Sequence, residues 1–215
     1  MLKGAIFDHD GLMFDTEKLW QKNWQKAAKK RNVVLAEGFT HDICGTSGDL
    51  MNKVVCKYYH VEDGHDIMQE VTEAVQADCA VHIDEKPGLR KILDLFQKNG
   101  VRMAVASSSP ESLLHRNLKN AGLDQYFDAV VSGQHVAHGK PAPDIFLSAA
   151  EKLNLDPKDC YVFEDAYNGV RAGHAAGCRT IMVPDLIQPD AEIKSLAAKV
   201  CTSLSEAADL IEKGL

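Results

Sequence analysis

An α/β fold, with a mostly parallel sheet covered on both faces, is what the sequence predicts, and three observations carry it. Short apolar runs recur along the chain, helical patterns separate them, and one long stretch carries helical patterns alone. The runs lie at 2–7, 101–106, 129–131, 161–163 and 180–183. Each is short and nearly continuously apolar, as a strand buried on both faces must be. Helical patterns alternate with them at 88–97, 112–120, 144–153, 169–176 and 191–198. Strands and helices in that rhythm imply right-handed βαβ crossovers.

The stretch from 15 to 85 breaks the alternation. Segments 17–30, 49–59 and 66–80 carry Leu, Val, Ile, Met and Ala at helical spacing, with Gly38, Gly45, Gly48 and Gly64 as punctuation. This reads as a helical cap inserted between the first two strands. Pro87-Gly88 returns the chain to a core made of 1–14 and 86–215.

A chain of 215 residues can bury such a core and carry the insertion. Its net charge of -7, with Lys and Arg concentrated only at 26–31, argues against nucleic acid or an anionic membrane as partner. No run approaches the ~18 apolar residues of a membrane span. The opening residues, interrupted by Asp8 and Asp10, do not read as a signal peptide. Six cysteines, at 44, 56, 79, 160, 178 and 201, form no C-x-x-C pair and read as reduced thiols. The expectation is a cytoplasmic monomer.

In an open parallel sheet the functional groups gather at the carboxyl ends of the strands. Those ends offer Asp8 and Asp10, then Ser107-Ser108-Ser109, then Lys140 after a short loop, then Glu164-Asp165. Crowded carboxylates repel, so a hard divalent cation with oxygen ligands, Mg²⁺, is the natural occupant. Ser107 and Lys140 would hold an anion that the metal also touches. A nucleophile, a metal, a cationic clamp and a proton donor are what phosphoryl transfer needs. Taken singly, each has a plainer reading: a turn at Asp10-Gly11, a helix cap at the serines, a solvated loop lysine, a capping acidic pair. Their coincidence at successive strand ends favours the chemical one.

Phe7-Asp8-His9-Asp10-Gly11-Leu12, Ser107, Gly139-Lys140-Pro141-Ala142-Pro143-Asp144 and Phe163-Glu164-Asp165 together resemble the four motifs of the haloacid dehalogenase-like superfamily. The resemblance spans essentially the whole chain and is strongest to the capped subgroup of β-phosphoglucomutase and small sugar-phosphate or nucleotide phosphatases. It implies a Rossmann-like, doubly wound core. It also implies a Mg²⁺-dependent phosphatase acting on a small phosphorylated metabolite through an aspartyl-phosphate. Asp8 would be nucleophile and metal ligand. Asp10 would be general acid/base, protonated at the outset, with its backbone carbonyl on the metal. Ser107 and the backbone at Ser108 would bind the phosphoryl oxygens, and Lys140 would neutralise them. Asp165 would ligate the metal directly, and Glu164 directly or through water. Members that break carbon–halogen or phosphorus–carbon bonds lack an aspartate two residues after the nucleophile, so Asp10 points to phosphate esters. The alternatives are a phosphomutase on the same core and, more distantly, a phospho-accepting signalling receiver.

Other residues are read more plainly. Strand alternation sends the His9 side chain away from both aspartates, which makes it structural. His60, His65, His135 and His138 read as exposed loop residues rather than ligands. Gly169, Gly173 and Gly177 let a helix approach the sheet. Trp20 and Trp24 share a helical face, as cap core or as a stacking platform. Trp20 and the loop Gly45-Thr46-Ser47, which resembles a specificity loop, are the cap candidates for substrate contact.

Overall fold

The computed structural model describes residues 1–81 and 83–214. β1 (Gly4–Phe7) leads into four helices, α1 (Glu17–Lys30), α2 (Phe39–Ile43), α3 (Gly48–Tyr59) and α4 (His65–Val81). The chain then runs α5 (Leu89–Lys98), β2 (Arg102–Ser107), α6 (Glu111–Ala121), β3 (Ala129–Ser132), α7 (Asp144–Lys152), β4 (Cys160–Glu164) and α8 (Tyr167–Ala175). It closes with β5 (Arg179–Met182), α9 (Ala191–Leu196), β6 (Lys199–Val200) and α10 (Leu204–Glu212).

All six strands are parallel, in the order β3-β2-β1-β4-β5-β6. The order reverses at β1, whose neighbours are β2 and β4, so a crevice opens above its carboxyl end. The period-2 alternation of β1 divides the core. Ala5 and Phe7 pack with Leu89, Ile92 and Phe96 of α5 and Leu204, Ala207 and Ile211 of α10. Ile6 faces the other way, onto Ile145, Phe146 and Ala149 of α7 and Ala172 of α8. Phe7 stacks on Phe163 with ring centroids 4.7 Å apart, tying the two central strands together just below the crevice.

The four helices after β1 bury a cluster of their own around Trp24, Phe39, Ile43, Val55, Tyr59 and Val71. Tyr59 donates its hydroxyl to the Trp24 carbonyl at 2.7 Å, so the one polar group of that ring is satisfied. The segment enters and leaves through paired backbone. Phe14 bridges Glu85, the Asp15 amide donates to Asp84, and the Lys86 amide donates to Met13.

The strand and helix expectations for the core hold to within a few residues, and α1 matches its expected span. Three elements were not anticipated: α2, β6 and α10. β6 is two residues long with Lys199 exposed, too short to leave a pattern. α10 did announce itself, since Ser203 accepts from the Glu206 amide at 3.2 Å, a Ser-x-x-Glu cap ahead of an apolar stripe. Among the described residues no helix is long and apolar enough to cross a membrane.

Candidate active site

The strand ends bring the expected groups together. β1 stops at Phe7 and the chain turns sharply, with Asp10 bridging Phe14. Gly11 makes that turn possible: its φ is +79°, and a Cβ there would lie 2.3 Å from an Asp165 carboxylate oxygen. Asp8, Glu164 and Asp165 each present an oxygen within 4.8 Å of the others. Lys140, delivered by the loop before α7, sits between two of them. Its Nζ donates to Asp8 Oδ1 and Glu164 Oε1, both at 2.5 Å, and lies 5.0 Å from the Phe146 ring centroid. The second Glu164 oxygen accepts from the amides of Asp165 and Ala166 at 3.1 and 3.3 Å. Both Glu164 oxygens are thus held by the protein.

Charge in this crowd is only partly balanced. Burial, the largest influence, pushes Asp8 up to about 7; Lys140 pulls the other way, and Glu164 and Asp10 add to the rise. Burial, then Glu164 and Asp8, hold Asp165 well above the usual carboxylate range. Burial alone would lower Lys140, but Asp8 and Glu164 outweigh it and keep the ammonium charged. The cluster thus carries surplus, poorly solvated negative charge on oxygen donors, which is the setting a small divalent cation such as Mg²⁺ fits.

Asp10 points the other way, toward the loop after β2. Ser109 donates its hydroxyl to Asp10 Oδ2 at 2.7 Å and Ser107 donates more weakly at 3.4 Å. Burial would raise Asp10, yet the charge and hydrogen bond of His9, with bonds from Ser109 and Thr16, bring it below the usual range. The protonated Asp10 expected at the outset is not what these neighbours favour. A phosphate dianion arriving alongside would push it back up by like-charge repulsion.

His9 needs correcting too. It is fully buried, and its Nδ1 lies 3.3 Å from Asp10 Oδ2 instead of facing away. Nε2 is 3.3 Å from the Asn117 side-chain amide, and the ring tilts over Phe14 at 4.9 Å. Alternation fails because the strand has already ended.

Trp20, Gly45, Thr46 and Ser47 all line a cavity of about 280 Å³ between the cap and the strand ends, with Ser107 and Ser108 on its floor. Trp24, which also reaches it, is 1% exposed and belongs to the cap core; the two indoles stack at 6.2 Å. Asn168 donates to the Gly45 carbonyl at 3.1 Å and Arg116 to the Gln76 carbonyl at 3.0 Å, holding cap against core on both sides. His60, His65, His135 and His138 are all exposed, as expected, although His65 opens α4 and His135 closes a 3-10 turn and so neither is in a loop.

Sequence reasoning missed Glu17 and Ser109. Glu17, one turn past the first motif, faces the cavity and accepts from the Cys44 thiol at 3.3 Å. Burial pushes it up to about 7, against the Cys44 bond and with help from Asp10. Ser109 was noted only as part of a serine run, although Asp10 is the group it holds.

Of the three glycines, Gly169 and Gly173 meet the expectation and Gly177 does not. Gly177 has φ +78° and open space around it, so it ends α8 instead of packing on the sheet. A Cβ on Gly169 would lie 1.9 Å from the Glu164 carboxyl carbon. Gly169→Ala is expected to cost roughly 1–3 kcal/mol of stability through overpacking. It should also cut turnover by about tenfold, because Glu164 positions Lys140. Thermal melts and steady-state rates check this; wild-type values for both would show that α8 simply shifts aside.

Comparison with known proteins bears on this geometry. Residues 5–183 match the family model described as haloacid dehalogenase-like hydrolase. The chain belongs to the haloacid dehalogenase-like hydrolases. Hexitol phosphatase B of Escherichia coli is 32% identical over 98% of this chain and 95% of its own. Fructose-1-phosphate phosphatase YqaB of the same organism is 34% identical over 84% and 95%. The structure of β-phosphoglucomutase from Clostridium difficile superposes with a TM-score of 0.80, covering 99% of this chain and 96% of that one. At 24% identity that likeness is one of fold. Membership makes the chain an enzyme, and its phosphatase relatives make it a phosphatase of this hydrolase family.

Proposed function

We propose that the protein hydrolyses a small phosphorylated metabolite, a sugar phosphate or a nucleotide-like monophosphate, with Asp8 as nucleophile and Asp10 as general acid/base. One observation supports this above the others: Asp8, Glu164 and Asp165 converge within 4.8 Å while Lys140 bridges the first two. Asp8, Asp165 and the Asp10 backbone carbonyl would hold Mg²⁺, with Glu164 completing the set directly or through water. The ion would supply positive charge against the phosphoryl oxygens.

An Asp8 oxygen attacks phosphorus and the ester P–O bond breaks, while Asp10 gives its proton to the departing oxygen. This leaves an aspartyl-phosphate and a free alcohol. Water then attacks phosphorus and loses a proton to Asp10, and the Asp8–phosphorus bond breaks to release inorganic phosphate. Ser107, Lys140 and the backbone at Ser108 hold the phosphoryl oxygens throughout, and Ser109 orients Asp10. Residues 15–85 act as a cap that surrounds the leaving group and excludes bulk water. A phosphomutase on this core would need a cap cation for a second phosphate, and the cap residues that line the cavity supply none among those described.

Phosphate release from a broad panel of phosphorylated metabolites tests the reading. Mg²⁺ should support turnover, a chelator should remove it and added Mg²⁺ should restore it. Ca²⁺ should support roughly a hundredth of the rate or less, because it favours more ligands at longer distances and leaves Asp8 poorly aligned. Full activity in excess chelator, or no release from any monoester, would overturn it.

A further inference from the structure

The cavity above Asp8 has a charge pattern that bears on what can leave with the alcohol. Five carboxylates line it: Asp8, Asp10, Glu17, Glu164 and Asp165. Lys140 is the one lining cation among the described residues, and Asp8 and Glu164 already hold it. It can meet one phosphoryl group, with a metal's help, and nothing further out. The cap's cations near this end are committed or turned to solvent. Lys57 pairs with Asp42 at 2.7 Å, Lys22 pairs with Asp78 at 3.1 Å, and Lys53 is exposed.

Two polar side chains of the cap wall are bonded within the protein. Thr46 donates its hydroxyl to the Ile43 carbonyl at 2.7 Å, and Gln21 accepts from Thr40 at 2.9 Å while its amide lies 3.8 Å from the Cys44 sulfur. What remains toward the leaving group is apolar surface from Trp20, Met51, Met68 and Leu113, the uncharged polar side chains of Ser47, Thr72 and Gln76, and the Glu17 carboxylate. Glu17 is fixed by the Cys44 thiol and stands on the first turn of α1, at the cap side of the cavity. An anionic group on the leaving alcohol would have to lie near this carboxylate, with no lining cation other than Lys140 among the described residues. Like charges so placed repel, whereas a hydroxyl could donate to Glu17.

We propose, building on the phosphatase reading, that the substrate is the phosphate monoester of an uncharged alcohol. Its carbon frame lays an apolar face on Trp20 and the two methionines, and Glu17 rejects leaving groups that carry a second phosphate or a carboxylate. Glu17 is then a specificity-determining residue, binding a hydroxyl of the right substrate and repelling the wrong one.

Matched pairs test it on the Mg²⁺-loaded protein at pH 8, above the value of about 7 to which burial raises Glu17, so that the carboxylate is charged. Glucose 6-phosphate and 6-phosphogluconate differ by a carboxylate, and fructose 1-phosphate and fructose 1,6-bisphosphate differ by a phosphate. The neutral-leaving-group member of each pair should have a kcat/KM at least roughly 100-fold higher. Glu17→Gln should narrow that ratio by about tenfold or more, chiefly through a lower KM for the charged member. Thr46→Arg, which adds a cation to the loop without touching Glu17, should narrow it too. Equal kcat/KM within the wild-type pairs overturns the proposal, as does an unchanged ratio in both folded variants. Hydrolysis of p-nitrophenyl phosphate separates the two failures. If it is hydrolysed but the pairs are not distinguished, the charge selection alone is wrong. If neither it nor any pair member is hydrolysed, the phosphatase reading falls and takes this proposal with it.

Discussion

Asp8→Asn is expected to lower turnover by roughly 10⁴-fold or more while leaving a folded protein that, free of metal, is more stable than wild type at pH 8. The amide keeps the shape and still accepts from Lys140, but it cannot form the phosphoryl bond. The stability gain follows from the burial that raises Asp8 from 3.8 to about 7. A carboxyl whose folded pKa is raised costs nothing while both states are protonated. Its penalty grows as pH climbs from the unfolded pKa, and is complete above the folded one. The variant's thermal midpoint should therefore exceed wild type by roughly 3–6 °C at pH 8, and the gap should close toward pH 4. Lys140 loses part of its counter-charge, which trims the gain. Midpoints by calorimetry in chelator, with phosphate release in Mg²⁺, give both readings. A variant within tenfold of wild-type activity would end the covalent mechanism, and one less stable at pH 8 would show that Asp8 is better solvated than its surroundings imply.

Lys140→Met should be damaging in a different way. It removes the one cation that pairs with Asp8 and Glu164 among the described residues; their side chains are 9% and 1% exposed, so two carboxylates stay buried without a counter-charge. Breaking such an arrangement from one side typically costs about 3–5 kcal/mol. Turnover should fall about 10³-fold, because the phosphoryl oxygens lose a preorganised charge. Adding Glu164→Gln to the same variant should return part of the stability and none of the activity. Urea unfolding of the two variants in chelator decides this. If the double variant is no more stable than the single one, charge compensation is not what Lys140 contributes to the fold.

The sheet was readable because a strand buried on both faces has to be apolar at every position. Ile6 and Phe7 point to opposite cores and are equally apolar, so no register was needed to find β1. The same logic located Asp8, Ser107 and Glu164, since a polar residue interrupting such a run marks its end. What could not be read depends on the path of the chain once the strand stops. His9 contacts Asp10 because the backbone turns at Gly11, and a rule of alternation says nothing about a turn. Glu17 reaches the cavity only because that turn brings the start of α1 back over the strand end. α10 is a different case, for its capping residues and apolar stripe were both present in the sequence.

The clasp formed by Phe14 with Glu85, and by Asp15 and Lys86 with their opposite backbone groups, has a consequence for descent. The inserted segment begins and ends at one point on the core, so its length and sequence can change without altering the register of any strand. Loop closure is forgiving in the same direction, since doubling the length between fixed ends costs only about 0.6 kcal/mol. A lineage could therefore exchange one cap for another and meet different phosphate esters, while the cluster of Asp8, Asp10 and Lys140 stayed as it is.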